Sequence, residues 1–224
     1  MGRFAATLMA GMLVLGAARA DEGQVQYLHI QALAAPTRDA YLAAMRANAQ
    51  ASRAAPANIM FDLGTTDATL VVLESWRDQA AYATHQNPPP VAALLPAALT
   101  RAERLYALQP VPDLPPPARK AIAAPAASKN IVVRLSTRPA QRQRFIDAVR
   151  GVVEQSRLAP GCLVFNVYQQ RDDANAFVIH ERWADGAAHQ AHLATPYTSA
   201  FIAGLNPMLT GAPEGWEVRD RIDD

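Results

Sequence analysis

The chain has 224 residues, with 21 lysines and arginines against 20 aspartates and glutamates, and so carries a formal net charge of +1. Because acidic and basic residues are mixed along the chain, the charge pattern gives no indication of a nucleic-acid-binding surface. The single cysteine, Cys162, cannot form an internal disulfide, so apolar packing must hold the fold together. We interpret Cys162 as a small buried side chain; a reactive thiol and an intermolecular bridge are the alternatives.

The N-terminal segment 1–20 is typical of a secretory signal peptide. Arg3 is followed by an apolar run and then by the small-residue pattern "ARA", which ends at Ala20. The run is too short for a good membrane-spanning helix, and no later segment is a candidate for one. We therefore expect export to the periplasm or the cell exterior with a mature chain from Asp21. An uncleaved anchor is the alternative.

The next segment, 21–108, is predicted to form a first α+β domain. Runs rich in apolar residues predict strands, and an amphipathic stretch predicts the first helix. The predicted elements are a strand at 25–33, a helix at 37–54, a hairpin with strands at 58–63 and 69–76, helices at 77–85 and 91–99, and a strand at 104–108.

Residues 109–129 are rich in proline and alanine and are predicted to form a semi-rigid, extended linker. The segment has few large apolar residues, so we expect it not to pack against the domains.

The last segment, 130–224, is predicted to form a second α+β domain. Its long helix begins near Pro139, and Phe145, Val149 and Val153 share one helical face. Its strands alternate apolar and other residues, and "RDDAN" provides the turn of a hairpin. The predicted elements are a strand at 130–135, a helix at 140–158, strands at 162–170 and 176–183, helices at 184–193 and 196–209, and a strand at 215–222.

The two domains are copies of one plan. "ESWRDQAAYATH" at 74–85 matches "ERWADGAAHQAH" at 181–192, and both domains have the order β-α-β-β-α-β of a ferredoxin-like unit. Apolar residues occur on both faces of the strands, so both faces of each sheet must be covered. We predict that the two sheets pair within one chain as a barrel, which gives a monomer with an internal pseudo-dimer or a higher homo-oligomer of such units.

Residues 156–197, "SRLAPGCLVFNVYQQRDDANAFVIHERWADGAAHQAHLATPY", closely resemble the signature of the antibiotic biosynthesis monooxygenase (ABM) family of dimeric α+β barrels. The resemblance covers essentially all of 130–219 and, more weakly, 25–108. It implies an oxidoreductase of the kind that includes cofactor-independent quinol and anthrone monooxygenases. The first copy departs from the pattern, because Ala57 stands where the second has Gly161 and "NPPP" follows its histidine.

The corner between the third strand and the following helix of the second copy provides the candidate catalytic residues Glu181, His189 and His192. Trp183 lies on the same strand face as Glu181, and a short helix can bring His192 back over the strand end. The alternative interpretation is structural, with a Glu181–His192 hydrogen bond buried under Trp183. The first copy repeats this group as Glu74, Trp76 and His85, which we expect to be mainly structural.

The positions that differ between the copies favour the second copy as the working one. They are His180 for Leu73, Arg182 for Ser75, His189 for Tyr82, and Asn166 for Asp62. The first copy has only His85 in the matching stretch, and its His29 lies on a different strand. The "NPPP" segment fixes backbone angles and removes N–H donors, which should reshape the rim of the first pocket.

The chemistry that the resemblance implies needs a bound flat aromatic, dioxygen, and a base for the phenolic proton, but no metal or other cofactor. A histidine is a suitable base. The candidate substrate-binding residues are Phe165, Asn166, Tyr168, Trp183 and Tyr197. A metal held by the histidines with Glu181, and haem on one histidine, are less well supported by the spacing. The alternative function is a non-catalytic protein that binds a small apolar ligand.

Overall fold

A computed structural model describes residues 23–220, without the side chain of Asp220. The predicted signal peptide at 1–20 lies outside the described residues. Within 23–220, none of the helices has the length and apolar character needed to cross a membrane.

The first copy has the predicted order of elements. Its elements are β1 (Val25–Ala32), α1 (Arg38–Ala54), β2 (Asn58–Thr65), β3 (Thr69–Trp76), α2 (Gln79–His85), α3 (Pro89–Ala98) and β4 (Arg104–Pro110). Strand β4 extends two residues into the predicted linker, and Pro110 pairs with Tyr168 of the second copy.

The second copy repeats this order. Its elements are β5 (Lys129–Ser136), α4 (Arg142–Leu158), β6 (Cys162–Gln170), β7 (Ala176–Trp183), α5 (Gly186–Leu193), α6 (Pro196–Leu205) and β8 (Glu214–Asp220). Matching aspartates begin α2 and α5: Asp78 accepts a hydrogen bond from the N–H of Ala81, and Asp185 accepts one from the N–H of Ala188. Both bonds satisfy backbone donors that a helix start leaves unpaired.

The eight strands close into one barrel in the order β1-β3-β2-β8-β5-β7-β6-β4. Each copy contributes four neighbouring strands, and the copies meet at two seams. Gly64 faces Asp220 at the seam between β2 and β8, and Leu108 faces Gln170 at the seam between β4 and β6. The predicted α+β fold of two ferredoxin-like units that pair within one chain is confirmed.

The strand pleat divides the core into three parts. Each copy has a core between its sheet and its helices, around Trp76 in the first and Trp183 in the second. The third core fills the barrel interior, and its buried residues include Leu28, Leu73 and Val178. Alternate residues of every strand therefore serve two different environments.

The expectation that the proline-rich linker does not pack is wrong. We call residues 111–124 the strap. Val111 and Leu114 are buried in the helix-side core of the second copy. The Lys120 N–H donates to the carbonyl of Leu163 at 2.9 Å. A pair of well-placed apolar side chains and a backbone hydrogen bond therefore help to hold a proline-rich segment against the barrel.

Candidate functional site

The helix side of the second copy brings together an indole, an imidazole and a phenyl ring. Trp183 from β7 stacks on His192 from α5, with ring centroids 4.4 Å apart and an interplanar angle of 26°. The edge of Phe165 from β6 approaches the same imidazole, with centroids 5.5 Å apart. All of these side chains are buried. The indole therefore covers one face of the imidazole, and hydrogen bonds to its nitrogens must lie near the ring plane.

Glu181 lies at the edge of this stack and, among residues 23–220, has no lysine or arginine within ion-pair range. Its Oε2 accepts a hydrogen bond from the indole Nε1 of Trp183 at 2.9 Å. The same Oε2 lies 3.9 Å from Nε2 of both His189 and His192, which is beyond hydrogen-bond range. The direct Glu181–His192 hydrogen bond of the structural interpretation is therefore not formed. Burial raises the pKa of Glu181, and the Trp183 hydrogen bond offsets only part of that shift.

The two imidazoles of α5 are held neutral. Burial, with a smaller contribution from the charge of His189, lowers the pKa of His192 to about 4. Burial also lowers the pKa of His189. The Nδ1 atom of His192 lies 3.3 Å from the hydroxyls of Tyr197 and Thr198. The Thr198 hydroxyl also lies 3.4 Å from Nε2, the nitrogen nearer to Glu181. At neutral pH, His192 is therefore an unprotonated base with hydroxyl and carboxyl neighbours.

Two of the predicted substrate-binding residues lie elsewhere. Asn166 and Tyr168 alternate with Phe165 along β6 and point into the barrel interior, where Tyr168 joins the third core. The structure brings the other candidates, Trp183 and Tyr197 included, to the helix side. The spacing within β6 already separated the two sets, because neighbouring residues of a strand face opposite ways.

The first copy preserves the stack but changes the partner of the acid. His85 stacks on Trp76 with centroids 4.5 Å apart, and Trp76 Nε1 donates to Glu74 at 2.5 Å. The imidazole against Glu74 comes from another strand. His29 of β1 has Nε2 2.8 Å from Glu74 and Nδ1 2.7 Å from Glu103.

This buried ion cluster makes His29 cationic. Burial alone would lower the pKa of His29, but hydrogen bonds and charges of Glu103 and Glu74 together raise it to about 9. The pKa of Glu103 is lowered despite its own burial, because His29 and Gln31 bind its charged form. Sequence reasoning missed this cluster. The position of His29 on the helix-facing side of β1 was a signal that its imidazole is buried. Its partner Glu103 was not predictable, because the two residues meet only through the β1–β4 pairing.

A second charged cluster lies inside the barrel. Arg119 of the strap binds Asp62 through both guanidinium nitrogens, at 2.6 and 2.8 Å. His180 and Arg182 lie within 4 Å of the same carboxylate. Although burial opposes it, these neighbours lower the pKa of Asp62, led by the Arg119 hydrogen bond. His180 and Arg182, which distinguish the second copy from the first, therefore contribute to the junction between the copies.

Among residues 23–220, no group of three or more histidine, cysteine, aspartate or glutamate side chains is placed to hold a metal ion. Cys162 is buried, and burial raises its pKa to about 11, so the thiol stays protonated.

The chain belongs to the antibiotic biosynthesis monooxygenase family, whose pattern it matches twice, over residues 25–96 and 130–204. It is 31% identical over 79 residues to "Uncharacterized protein sll1783" of Synechocystis, a match that covers 35% of this chain and 53% of that protein. The chain thus spans about half the length of that relative. It is 28% identical over 76 residues to "Putative monooxygenase YcnE" of Bacillus subtilis, covering 34% of this chain and 80% of YcnE.

Solved structures share the whole tandem fold. A "Putative monooxygenase" from Fusobacterium nucleatum superposes with a TM-score of 0.77 at 14% identity, covering 89% of this chain and 93% of that one. An "anthrone oxidase-like protein" superposes with a TM-score of 0.61 at 11% identity, covering 89% of this chain and 92% of the other. At these identities the likeness concerns the fold.

Proposed function

We propose that this protein is a cofactor-independent monooxygenase that oxidises a quinol, an anthrone or a related phenolic with dioxygen. The observation that carries the proposal is the arrangement around His192. A neutral imidazole stacks on Trp183 and lies 3.9 Å from a carboxyl oxygen of Glu181, which has no hydrogen-bonded cation among residues 23–220. Membership of the family and the anthrone oxidase-like neighbour support this choice of chemistry.

The first chemical step is removal of a proton from the substrate. His192 is unprotonated at neutral pH because its pKa is about 4. The imidazolium that forms on taking the proton is stabilised by the ionised form of Glu181, whose Oε2 lies 3.9 Å away and whose pKa, raised by burial, falls as that cation develops. The acid therefore acts through His192, as a group that stabilises charge when it develops.

The oxidation then needs only dioxygen. The deprotonated, electron-rich substrate passes one electron to dioxygen, and the resulting radical and superoxide combine to form a carbon–oxygen bond. The His192 imidazolium returns its proton to the peroxide. Loss of a second proton from the same carbon, with cleavage of the oxygen–oxygen bond, leaves a carbonyl and releases water. One oxygen atom enters the substrate and the other leaves as water, so four electrons are transferred.

Substrate entry requires local opening. His192 is only 3% exposed, whereas Tyr197 of α6 is half-buried and lies in contact with it. We infer that an aromatic substrate displaces Tyr197 and the start of α6, and then lies against Phe165 and Trp183. Exclusion of water by the returning helix would favour reaction of the anion with dioxygen.

The first copy is not proposed as a second catalytic centre. Its His29 is protonated up to about pH 9 and is held by Glu74 and Glu103. An imidazolium cannot accept the substrate proton. We propose that this copy is mainly the structural partner that completes the barrel.

The test is oxygen uptake by the purified chain with a panel of quinols and anthrones, corrected for uncatalysed autoxidation. The proposal expects uptake above that background with at least one member, and a product that gains one oxygen atom from dioxygen: the anthraquinone from an anthrone, or the hydroxylated quinone from a quinol. The absence of uptake with every member, with binding retained, favours the alternative of a non-catalytic ligand-binding protein.

We also propose that residues 1–20 direct export and are removed. The motivation is the charged, apolar and small-residue pattern of that segment. Mass spectrometry of the protein from its native host should find an N-terminus at Asp21, and an intact Met1 would contradict cleavage.

A further inference from the structure

A cavity of about 430 Å³ lies at the end of the barrel where the strap crosses it. Strands β1, β2, β3 and β6 and the strap all contribute to its lining, so it is formed jointly by both copies. Its volume falls within the range of small-molecule sites. It lies on the barrel side of β6, whereas His192 packs on the helix side, so the two sites are separate.

The walls of the cavity are mainly apolar. Ile59 and Met60 line it from β2, and Pro116 and Pro117 line it from the strap. Ile59 is 54% exposed, which leaves its apolar surface uncovered at the rim. The proline rings are rigid and lose little conformational entropy when a flat molecule lies against them.

A hydrogen-bond network fixes the polar floor. The carbonyl oxygen of Asn166 accepts hydrogen bonds from the Ala118 N–H at 3.0 Å and from Arg157 at 2.8 Å. These contacts orient the amide so that its nitrogen donates to the Tyr168 hydroxyl at 3.1 Å. Because the Tyr168 oxygen is an acceptor there, its own proton is left to be donated to a ligand.

A second donor lies beside it. Gln26 is 3% exposed, lines the same cavity, and hydrogen-bonds the Tyr168 hydroxyl through its side-chain amide, whose nitrogen carries a second N–H for a ligand. That bond favours the ionised form of Tyr168, but burial dominates and raises the pKa of its hydroxyl overall. Tyr168 therefore stays protonated at neutral pH. A buried donor without a partner is costly and is relieved by a ligand oxygen.

We propose that this cavity is a second ligand site, which binds a small, flat, apolar molecule through a neutral carbonyl oxygen that accepts hydrogen bonds from Tyr168 and Gln26. Arg119 also lines the cavity, but its guanidinium is held by Asp62, so the site offers no excess positive charge for an anion. The oxygen is therefore expected to be uncharged.

The test uses a matched pair of probes, 9-fluorenone and fluorene, which differ in having a carbonyl or a methylene at one position. Methyl-labelled methionine reports the location through the Met60 resonance of the full chain. The expected result is that fluorenone shifts the Met60 signal and binds at least tenfold more tightly than fluorene. Tyr168→Phe should weaken fluorenone binding about tenfold, and Ala118→Trp, which fills the cavity from the exposed strap, should abolish it.

His192→Ala is the control that separates this site from the proposed catalytic one. It should leave the Met60 shift and its fluorenone dependence unchanged, even if turnover is lost. An unchanged Met60 signal at saturating fluorenone, equal affinities for the two probes, or unchanged affinity in Tyr168→Phe would each overturn the proposal. So would loss of the Met60 shift in His192→Ala with retention in Ala118→Trp.

Discussion

The Glu–Trp–His corners of the two copies are nearly identical in stacking and opposite in electrostatics. Centroid distances between indole and imidazole are 4.5 Å in the first copy and 4.4 Å in the second. In the first, Glu74 meets a cationic His29 at 2.8 Å. In the second, Glu181 meets neutral imidazoles at 3.9 Å.

The difference arises at a position outside the shared motif. The strand register aligns His29, which faces Val72, with Val133, which faces Ile179. The second copy thus has a valine where the first has the imidazole that binds its acid. A shared motif therefore preserves the stack, while one residue on a neighbouring strand decides whether the acid is neutralised or left to stabilise a new charge.

The largest expected effect is on stability in the first copy. His29→Val, which copies the second domain, leaves Glu74 and Glu103 buried without their shared cation. We expect unfolding free energy to fall by about 3–5 kcal/mol, the usual cost of removing one partner of a buried ion pair. Denaturant unfolding measures it. His85→Ala is the matched control and should cost only about 1 kcal/mol of stacking energy. Equal losses in the two variants would refute the assigned role of His29.

The next effect is on turnover in the second copy. His192→Ala should lower the rate of oxygen uptake about a hundredfold, which is at the low end for a positioned base. His85→Ala should retain the rate once corrected for folded fraction, because Glu74 is held by the cationic His29 and is not left to stabilise a new charge on His85. Comparable rate losses in both variants, at unchanged melting temperature, would show that both copies are active.

The pH dependence of stability distinguishes the copies by sign. The pKa of His29 is raised from 6.5 to about 9. Its contribution to the free energy of unfolding is therefore fully present below pH 6.5 and is lost as the pH rises to about 9. The expected loss is about 3 kcal/mol. The pKa of His192 is lowered to about 4, so the folded protein resists protonation there. The protein should therefore become less stable as the pH falls from 6.5 towards 4. Melting curves between pH 4 and 9 test both slopes.

His29→Val provides the control for the alkaline slope. This variant should show little change between pH 6.5 and 9 while it keeps the acidic slope, because His192 and the buried His180, whose pKa is also lowered to about 4, are unaffected. An undiminished alkaline slope would assign the titration to another group.

The fold was predictable from sequence because strand alternation and helix periodicity report burial directly. Phe165 and Trp183, two of the predicted substrate-binding residues, lie with His192 on the helix side. The partner of Glu74 was not predictable, because His29 and Glu103 come together only through pairing of strands far apart in the chain. The strap was misjudged for a similar reason. Val111 and Leu114 are too few to predict packing from sequence, and the core that buries them is formed only in the tertiary structure.

The smallest expected effect concerns the turn before β2 and β6. Gly161 has φ +75°, and a Cβ there would lie 2.6 Å from the Cβ of Ala188. Gly161→Ala should therefore cost about 2 kcal/mol through backbone strain and displacement of α5, which carries His192. The first copy has Ala57 at this position without a positive φ. Ala57→Gly should cost about 0.5–1 kcal/mol, because the glycine increases the conformational entropy of the unfolded chain.

Thermal melts of Gly161→Ala and Ala57→Gly compare the two losses of stability. Oxygen uptake should fall in Gly161→Ala only, since a displaced α5 moves the base away from Glu181. A Gly161→Ala variant with normal stability would mean that the turn relaxes without disturbing the helix.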